Sequence, residues 1–359
     1  MNEFAPPSLR QPILRQGADL ARAGLISSEQ IAAIDQVARR YSVALTPALA
    51  HLIDPSDPDD PIAAQFIPTL DELENRPEER LDPIGDRHHS PVKGIVHRYP
   101  DRVLLTPMLH CPVYCRFCFR RETVGGSQAL LTATELDLAL HYIRGHKKIW
   151  EVVITGGDPL MMPPKGLGAI LAELEAIPHV EIIRLHSRIP ISDPDRINTD
   201  LLAQLNRSKP VWLAIHCNHA RELTQAAGEA CLRLARIGLP LLGQTVLLKG
   251  INDDPTVMEA LLRAMVRNRI KPYYLHHLDR APGTGRFVTD IKTGQAIMRS
   301  LRGRVSGLCQ PTYVLDIPGG HGKVPVGPNY LEPHQITDWQ GQRHHQPNQE
   351  PVAPDRSSC

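Results

Sequence analysis

An α/β fold built on a parallel sheet, curled into a full or partial barrel, is the class this sequence predicts. Two observations carry that reading. From Val103 onward short apolar runs alternate with longer helical segments, and six such strand–helix units follow one another. Three cysteines also fall just past the first strand, at the end where barrel proteins assemble their sites. A doubly wound open sheet stays open as the alternative, because periodicity does not decide closure.

The strands are expected at Val103–Met108, Val152–Thr155, Ile182–His186, Val211–His216, Leu241–Leu248 and Pro272–Leu278. Helices are expected at Ala133–Arg144, Gly166–Ala176, Arg196–Leu205, Ala220–Ile237 and Pro255–Asn268. A further apolar run, Thr312–Ile317, leads into a glycine-rich loop. Ahead of the barrel, Ser27-Ser28-Glu29-Gln30 offers helix caps before Ile31-Ala32-Ala33-Ile34, and residues 54–62 hold too much proline and aspartate to stay helical. The expected organisation is a helical and irregular extension over 1–95, the barrel over 96–331, and a polar, disordered tail over 332–359.

Composition narrows the function. Lysine plus arginine (40) nearly balance aspartate plus glutamate (39), with no basic run, which argues against a nucleic-acid surface. No apolar stretch approaches membrane-span length, and the polar start of the chain does not read as a signal peptide. Seven unevenly spaced cysteines do not form a disulfide framework, so a reducing cytoplasm is expected.

Cys111, Cys115 and Cys118 lie within eight residues. Zinc and a [4Fe–4S] cluster both normally take four protein ligands, and no fourth is obvious here. Three thiolates would leave one iron of a cluster open to an outside chelating ligand. Two plainer readings remain: a zinc knot completed by His110 or a distant histidine, and three buried thiols without metal. Downstream, Thr155-Gly156-Gly157-Asp158-Pro159 ends a strand, Ser187 and Arg188 end the next, and Gln244 lies inside a later one. Alone, each is an ordinary turn, cap, ion pair or interior amide. Asp316-Ile317-Pro318-Gly319-Gly320-His321-Gly322-Lys323 lacks P-loop spacing. A lysine on such a loop can form a Schiff base with a carbonyl cofactor, or can be an exposed loop lysine.

The C-x3-C-x2-C spacing, with an aromatic before its last cysteine, resembles the signature of the radical S-adenosylmethionine superfamily. That implies a partial (β/α) barrel, a [4Fe–4S] cluster on Cys111, Cys115 and Cys118, and S-adenosylmethionine contacts from Gly156, Gly157, Asp158, Ser187, Arg188 and Gln244. Over about two thirds of the chain, residues 95–331, the sequence resembles the lysine 2,3-aminomutase family. The match rests on His97-Arg98-Tyr99-Pro100-Asp101-Arg102 before the cysteines and on the lysine loop. It implies pyridoxal 5'-phosphate held by Arg98, Tyr99 and Arg102, with Lys323 as the catalytic residue carrying it. It also implies Arg120 on the substrate α-carboxylate, and Asp279 and Asp316 on the ε-ammonium of lysine.

The expected reaction is therefore 2,3-amino migration of L-lysine to β-lysine, fed by a reductant such as flavodoxin or ferredoxin. The alternatives are the same chemistry dedicated to elongation factor P or to another amino acid, and a non-catalytic iron–sulfur or zinc protein. Three departures from the family stand out. The cysteine-rich C-terminal zinc segment is absent, and Asp254 stands where its matching cysteine is expected, which argues against structural zinc and leaves homo-oligomeric assembly open. His276 replaces a tyrosine, and the resulting Tyr-Tyr-Leu-His resembles the elongation factor P branch, whereas the PGGxGK loop does not.

Overall fold

The computed structural model describes residues 12–74, 76–126 and 130–345. Its centre is a nine-stranded sheet whose strands lie side by side in chain order. They are β1 (Ile95–Tyr99), β2 (Arg102–Met108), β3 (Glu151–Gly156), β4 (Ile182–Ser187), β5 (Val211–His216), β6 (Leu241–Val246), β7 (Ile270–His276), β8 (Thr312–Ile317) and β9 (Gly322–Pro325). Strands β2 to β8 pair in parallel, while β1 and β9 fold back antiparallel at the two edges.

The sheet curls into a nearly closed barrel. Across its seam the Tyr99 hydroxyl of β1 accepts the backbone N–H of Lys323 on β9 at 2.8 Å. Beside it, Arg98 Nη1 donates to Asp316 Oδ1 at 3.3 Å. Sequence periodicity shows neither β1 nor β9, since strands of five and four residues carry too little alternation to register.

Side-chain alternation divides each parallel strand between two environments. Val152, Ile154, Ile183, Leu185, Leu213, Ile215, Leu241 and Leu275 are buried in the main core. Residues one step out of phase, including Val153, Arg184, His186, Trp212, Ala214, His216, Leu242, Gln244 and His276, line the barrel cavity. The interior is thus polar and charged in places where a filled barrel would be aliphatic.

The crossover helices are Ala133–Gly145, Pro164–Glu175, Thr199–Leu205, Gln225–Arg236, Pro255–Arg267 and Ile291–Leu301. Their starts follow local chemistry. Thr132 Oγ1 accepts from Glu135 N, and Asn198 from Leu201 N. Two starts fall later than sequence spacing suggests. Thr199 replaces Arg196, and Gln225 replaces Ala220, because Pro194–Arg196 and Ala220–Glu222 are separate 3-10 turns. Ile291–Leu301 was not expected; its buried stripe contains Gly294, whose missing side chain makes room for the Tyr313 ring. Asp254 caps Pro255–Arg267 by accepting from Thr256 N and Val257 N.

The extension contributes short helices at Gly17–Arg22, Ile31–Ala38, Pro47–Ala50 and Pro61–Phe66. The expected disordered tail needs correction over its described part. Leu331–Glu332, Gln335–Thr337 and Arg343–His345 form a three-stranded antiparallel sheet. Trp339 closes against Gly303, and Asp338 accepts from Gln342 N at 2.9 Å. Polar composition hid these local anchors; residues 346–359 lie outside the described part. No helix among the described residues is long and apolar enough to cross a membrane.

Candidate active site

The barrel encloses a cavity of about 980 Å³, and Cys111, Cys115, Cys118, Arg98, Arg120, Asp279, Asp316 and Lys323 all line it. The cysteine loop leaves the end of β2 and is braced by the extension. Tyr114 N donates to Ala44 O at 3.0 Å, and Arg116 N to Gln65 O at 2.9 Å. Beneath the loop, the fully buried Glu72 accepts from Arg116 Nε at 3.0 Å and also from Arg121. Burial acts to raise the Glu72 carboxyl, but the two arginines hold it below the usual carboxylate range.

Burial pushes all three loop thiols upward, Cys118 to about 11. They need a metal or a cation to become thiolates. Arg188 supplies a cation: its Nη1 donates to Cys115 Sγ at 3.3 Å, while Nη2 meets Glu222 and Gln65 Oε1. Burial alone would lower the guanidinium; Glu222, Cys115 and Cys217 raise it above its ordinary value. No group of three or more His, Cys, Asp or Glu among the described residues closes around a single ion. Cys111, Cys115 and Cys118 line the same cavity and supply three thiol donors of the kind a [4Fe–4S] cluster takes.

The glycines after β3 serve close backbone approach. Gly157 N donates to Met108 O and Asp158 N to His110 O, both at 2.8 Å. A side chain at Gly156 or Gly157 would strike the Met108 or His110 carbonyl, and Gly156 has φ +116. Asp158 lines the cavity and accepts from Ser187 Oγ at 3.0 Å and from Arg188 N at 2.6 Å. Burial still raises its carboxyl to about 6. Ser187 and Arg188 are likewise engaged within the protein, and Gln244 lines the cavity wall.

The seam forms another part of the cavity wall. Lys323 Nζ contacts Asp316 Oδ2, and its backbone is fixed by Tyr99. The Arg102 guanidinium lies 3.9 Å over the Tyr99 ring centroid and pairs with Asp101. Asp279 has no side-chain hydrogen bond among the described residues, and burial, with Asp316 next in weight, lifts its carboxyl to about 7. Burial keeps His186 and His276 well below the ordinary histidine value and His216 at about 3, so all three are neutral at pH 7.

Residues that the sequence did not mark complete the site: Gln65, Glu72 and Asp86 from the extension, Glu222 from a turn, and His186 and His216 from the strands. The two histidines had a signal, as they share the inward phase of Arg184 and Ala214. Gln65, Glu72 and Asp86 lie in a segment without periodicity, and Glu222 lies on a turn that spacing alone assigns to the following helix.

Three buried nitrogens lining the cavity lack a protein partner: Arg98 Nε, Arg188 Nε and His186 Nε2. Buried donors of this kind are normally satisfied, and anionic phosphate or carboxylate groups would satisfy the guanidinium nitrogens. The thiol trio, the lysine and the orphan donors line one cavity and fit a cluster, S-adenosylmethionine and pyridoxal phosphate.

A nearly closed parallel barrel with a three-cysteine loop after its first parallel strand defines a radical S-adenosylmethionine enzyme. The family profile described as "Radical SAM superfamily" matches residues 105–261, and that described as "Lysine-2,3-aminomutase" matches 298–337. The chain is 42% identical over 306 residues to L-lysine 2,3-aminomutase of Clostridium subterminale, covering 85% of this chain and 74% of that protein. It is 44% identical over 293 residues to putative L-lysine 2,3-aminomutase of Aquifex aeolicus, covering 81% and 79%. Glutamate 2,3-aminomutase of Clostridioides difficile is 39% identical over 298 residues, covering 83% and 70%. The chain belongs to the lysine 2,3-aminomutase family.

Proposed function

We infer that this chain is a radical S-adenosylmethionine isomerase that converts L-lysine to β-lysine by 2,3-amino migration, with pyridoxal phosphate as second cofactor. Overall identity separates lysine from glutamate relatives only narrowly, so the substrate must be argued from charge. The observation that carries it is the acid pair Asp279 and Asp316 in the cavity. Asp316 already holds a lysine ammonium, that of Lys323, and Asp279 makes no side-chain hydrogen bond among the described residues and feels the charge of Lys323 and Arg98 only at a distance. A second carboxylate placed there would be repelled, whereas an ε-ammonium satisfies both.

When bound, the cluster and S-adenosylmethionine supply hydrogen abstraction, and pyridoxal phosphate supplies electron delocalisation to the migrating amino group. The protein's own part is positioning. Cys111, Cys115 and Cys118 would hold the cluster, and Arg188, whose Nε has no hydrogen-bond partner, would stand ready for an anionic group of S-adenosylmethionine. Gly156, Gly157, Asp158 and Ser187 would shape the methionine site through their backbone and hydrogen bonds, and Gln244 on the cavity wall would be available to the adenosine. Asp316 orients the Lys323 side chain through their contact. Arg98, Tyr99 and Arg102 hold the phosphate end, and Arg120 takes the substrate α-carboxylate through its planar fork. The neutral histidines keep competing positive charge out of the barrel wall. The electron that reduces the cluster comes from a reductant such as flavodoxin or ferredoxin.

The test is anaerobic reconstitution followed by incubation with lysine, glutamate and other amino acids, scoring β-isomers by mass spectrometry. β-Lysine as the main product, lost in Asp279→Ala, is the expected result. Unchanged lysine turnover in that variant removes the reason for choosing lysine. Protein that takes up zinc and fixes no pyridoxal phosphate on Lys323 after borohydride reduction removes the enzyme reading.

A further inference from the structure

One carboxylate joins the two arginines on which the anion-binding reading depends. Asp86 Oδ1 accepts from Arg98 Nη2 at 2.9 Å, and Asp86 Oδ2 accepts from Arg120 Nη2 at 2.7 Å. Arg98 stands on β1, Arg120 follows the cysteine loop, and Asp86 comes from the extension ahead of both. All three side chains are at most 16% exposed.

Asp86 is itself held rigidly. Its backbone N–H donates to Asp82 Oδ1, that of Arg87 to Asp82 Oδ2, and Ser90 Oγ donates to its carbonyl. Arg98 Nη2 also donates to Ile84 O at 2.6 Å, keying the same segment to β1. On the other side Gly85 packs on the backbone of Gly319 and Gly320, leaving no room for a side chain, and His89 Nε2 lies 3.1 Å from Gly320 O. The segment 82–90 therefore touches the lysine loop, β1 and Arg120 at once.

Both arginines keep capacity for a further anion. Arg98 Nε is buried and unpartnered. Arg120 has no acceptor other than Asp86 among the described residues, and it is steadied by the Phe119 ring with its Cζ 4.6 Å from the centroid. One carboxylate bridges the two guanidinium groups, and Arg98 is paired with Asp316 as well. The bridge removes the freedom with which two long side chains would otherwise separate.

We propose that Asp86 is a positioning residue that sets the spacing of the two anion sites, presenting Arg98 towards the cofactor phosphate and Arg120 towards the substrate α-carboxylate. It acts through the arginines and touches neither ligand. The proposal rests on the lysine reading for its substrate arm only. The rival role for the same acid is a placeholder that occupies Arg120 and must be displaced by substrate.

Asp86→Ala, Asp86→Asn and Asp86→Glu separate the two roles. If Asp86 positions, Asp86→Ala raises KM for lysine by about tenfold or more, as expected for losing hydrogen bonds to charged groups, with kcat changed far less. The same variant weakens pyridoxal phosphate affinity, read by absorbance titration without lysine, and narrows the preference for lysine over lysinamide. Asp86→Glu restores part of each. An unchanged or lowered KM together with unchanged cofactor affinity overturns the proposal. Should Asp86→Ala not fold, Asp86→Asn, which keeps shape but not charge, is scored by the same readouts. The cofactor arm stands even where wild-type protein makes no β-lysine, so failure of the lysine reading is recognised separately.

Discussion

The Tyr99 hydroxyl accepts the backbone N–H of Lys323 at 2.8 Å, so the strand that opens the sheet positions the lysine near its close. Tyr99→Phe removes that bond and leaves the ring under Arg102. The expected cost is about 1 kcal/mol of local order. Borohydride trapping of pyridoxal phosphate on Lys323 should slow while cluster content stays unchanged; equal trapping rates would contradict the assigned role.

Glu72 ties the cysteine loop to the extension. Glu72→Ala leaves Arg116 and Arg121 buried without a counter-charge, and should destabilise by about 3–5 kcal/mol. Because its carboxyl is depressed in the folded state, its contribution is present above the ordinary glutamate range and is lost as pH falls through the folded value. Urea denaturation of wild type and variant at neutral and acidic pH should therefore converge on acidification. A gap independent of pH would count against the pairing.

Arg188 donates to Cys115 Sγ at 3.3 Å. Hydrogen bonds and positive charge at a ligand sulfur favour the reduced cluster. Arg188→Met should shift the reduction potential to more negative values in a redox titration followed by electron paramagnetic resonance. Since the change also strands Glu222, Arg188→Lys serves as the charge-preserving control, and an unshifted potential in both would refute the coupling.

Asp279 carries a carboxyl lifted to about 7 by burial and by Asp316. The acid is mostly protonated at pH 6, so binding an ε-ammonium must expel its proton. KM for lysine should rise by about tenfold between pH 8 and pH 6, and Asp279→Asn should flatten the profile at a higher KM. A flat wild-type profile would show that this carboxyl does not meet the substrate cation.

Sequence reading reached the parts whose signal is local. The spacing of Cys111, Cys115 and Cys118, the glycines before Lys323 and the alternation along β3 to β8 are each contained in a short window. Asp86, Glu72 and Gln65 lie in an irregular, proline-broken stretch, and only tertiary contacts bring them under the cysteine loop and against the arginines. The same limit hides the hydrogen bonds of Asp158 to Ser187 and of Arg188 to Glu222, because each pair joins separate elements that meet only in the folded barrel. The sheet over 331–345 was missed because its strands are two or three residues long and their anchors, Trp339 and Asp338, sit in polar sequence.

The most direct measurement is product analysis of anaerobically reconstituted protein given lysine, dithionite, S-adenosylmethionine and pyridoxal phosphate, with each cofactor omitted in turn. β-Lysine that forms only when both cofactors are present, and not in Lys323→Ala, is the predicted result. Lysine recovered unchanged from protein with a full cluster and bound pyridoxal phosphate, or glutamate isomerised in its place, would contradict the account.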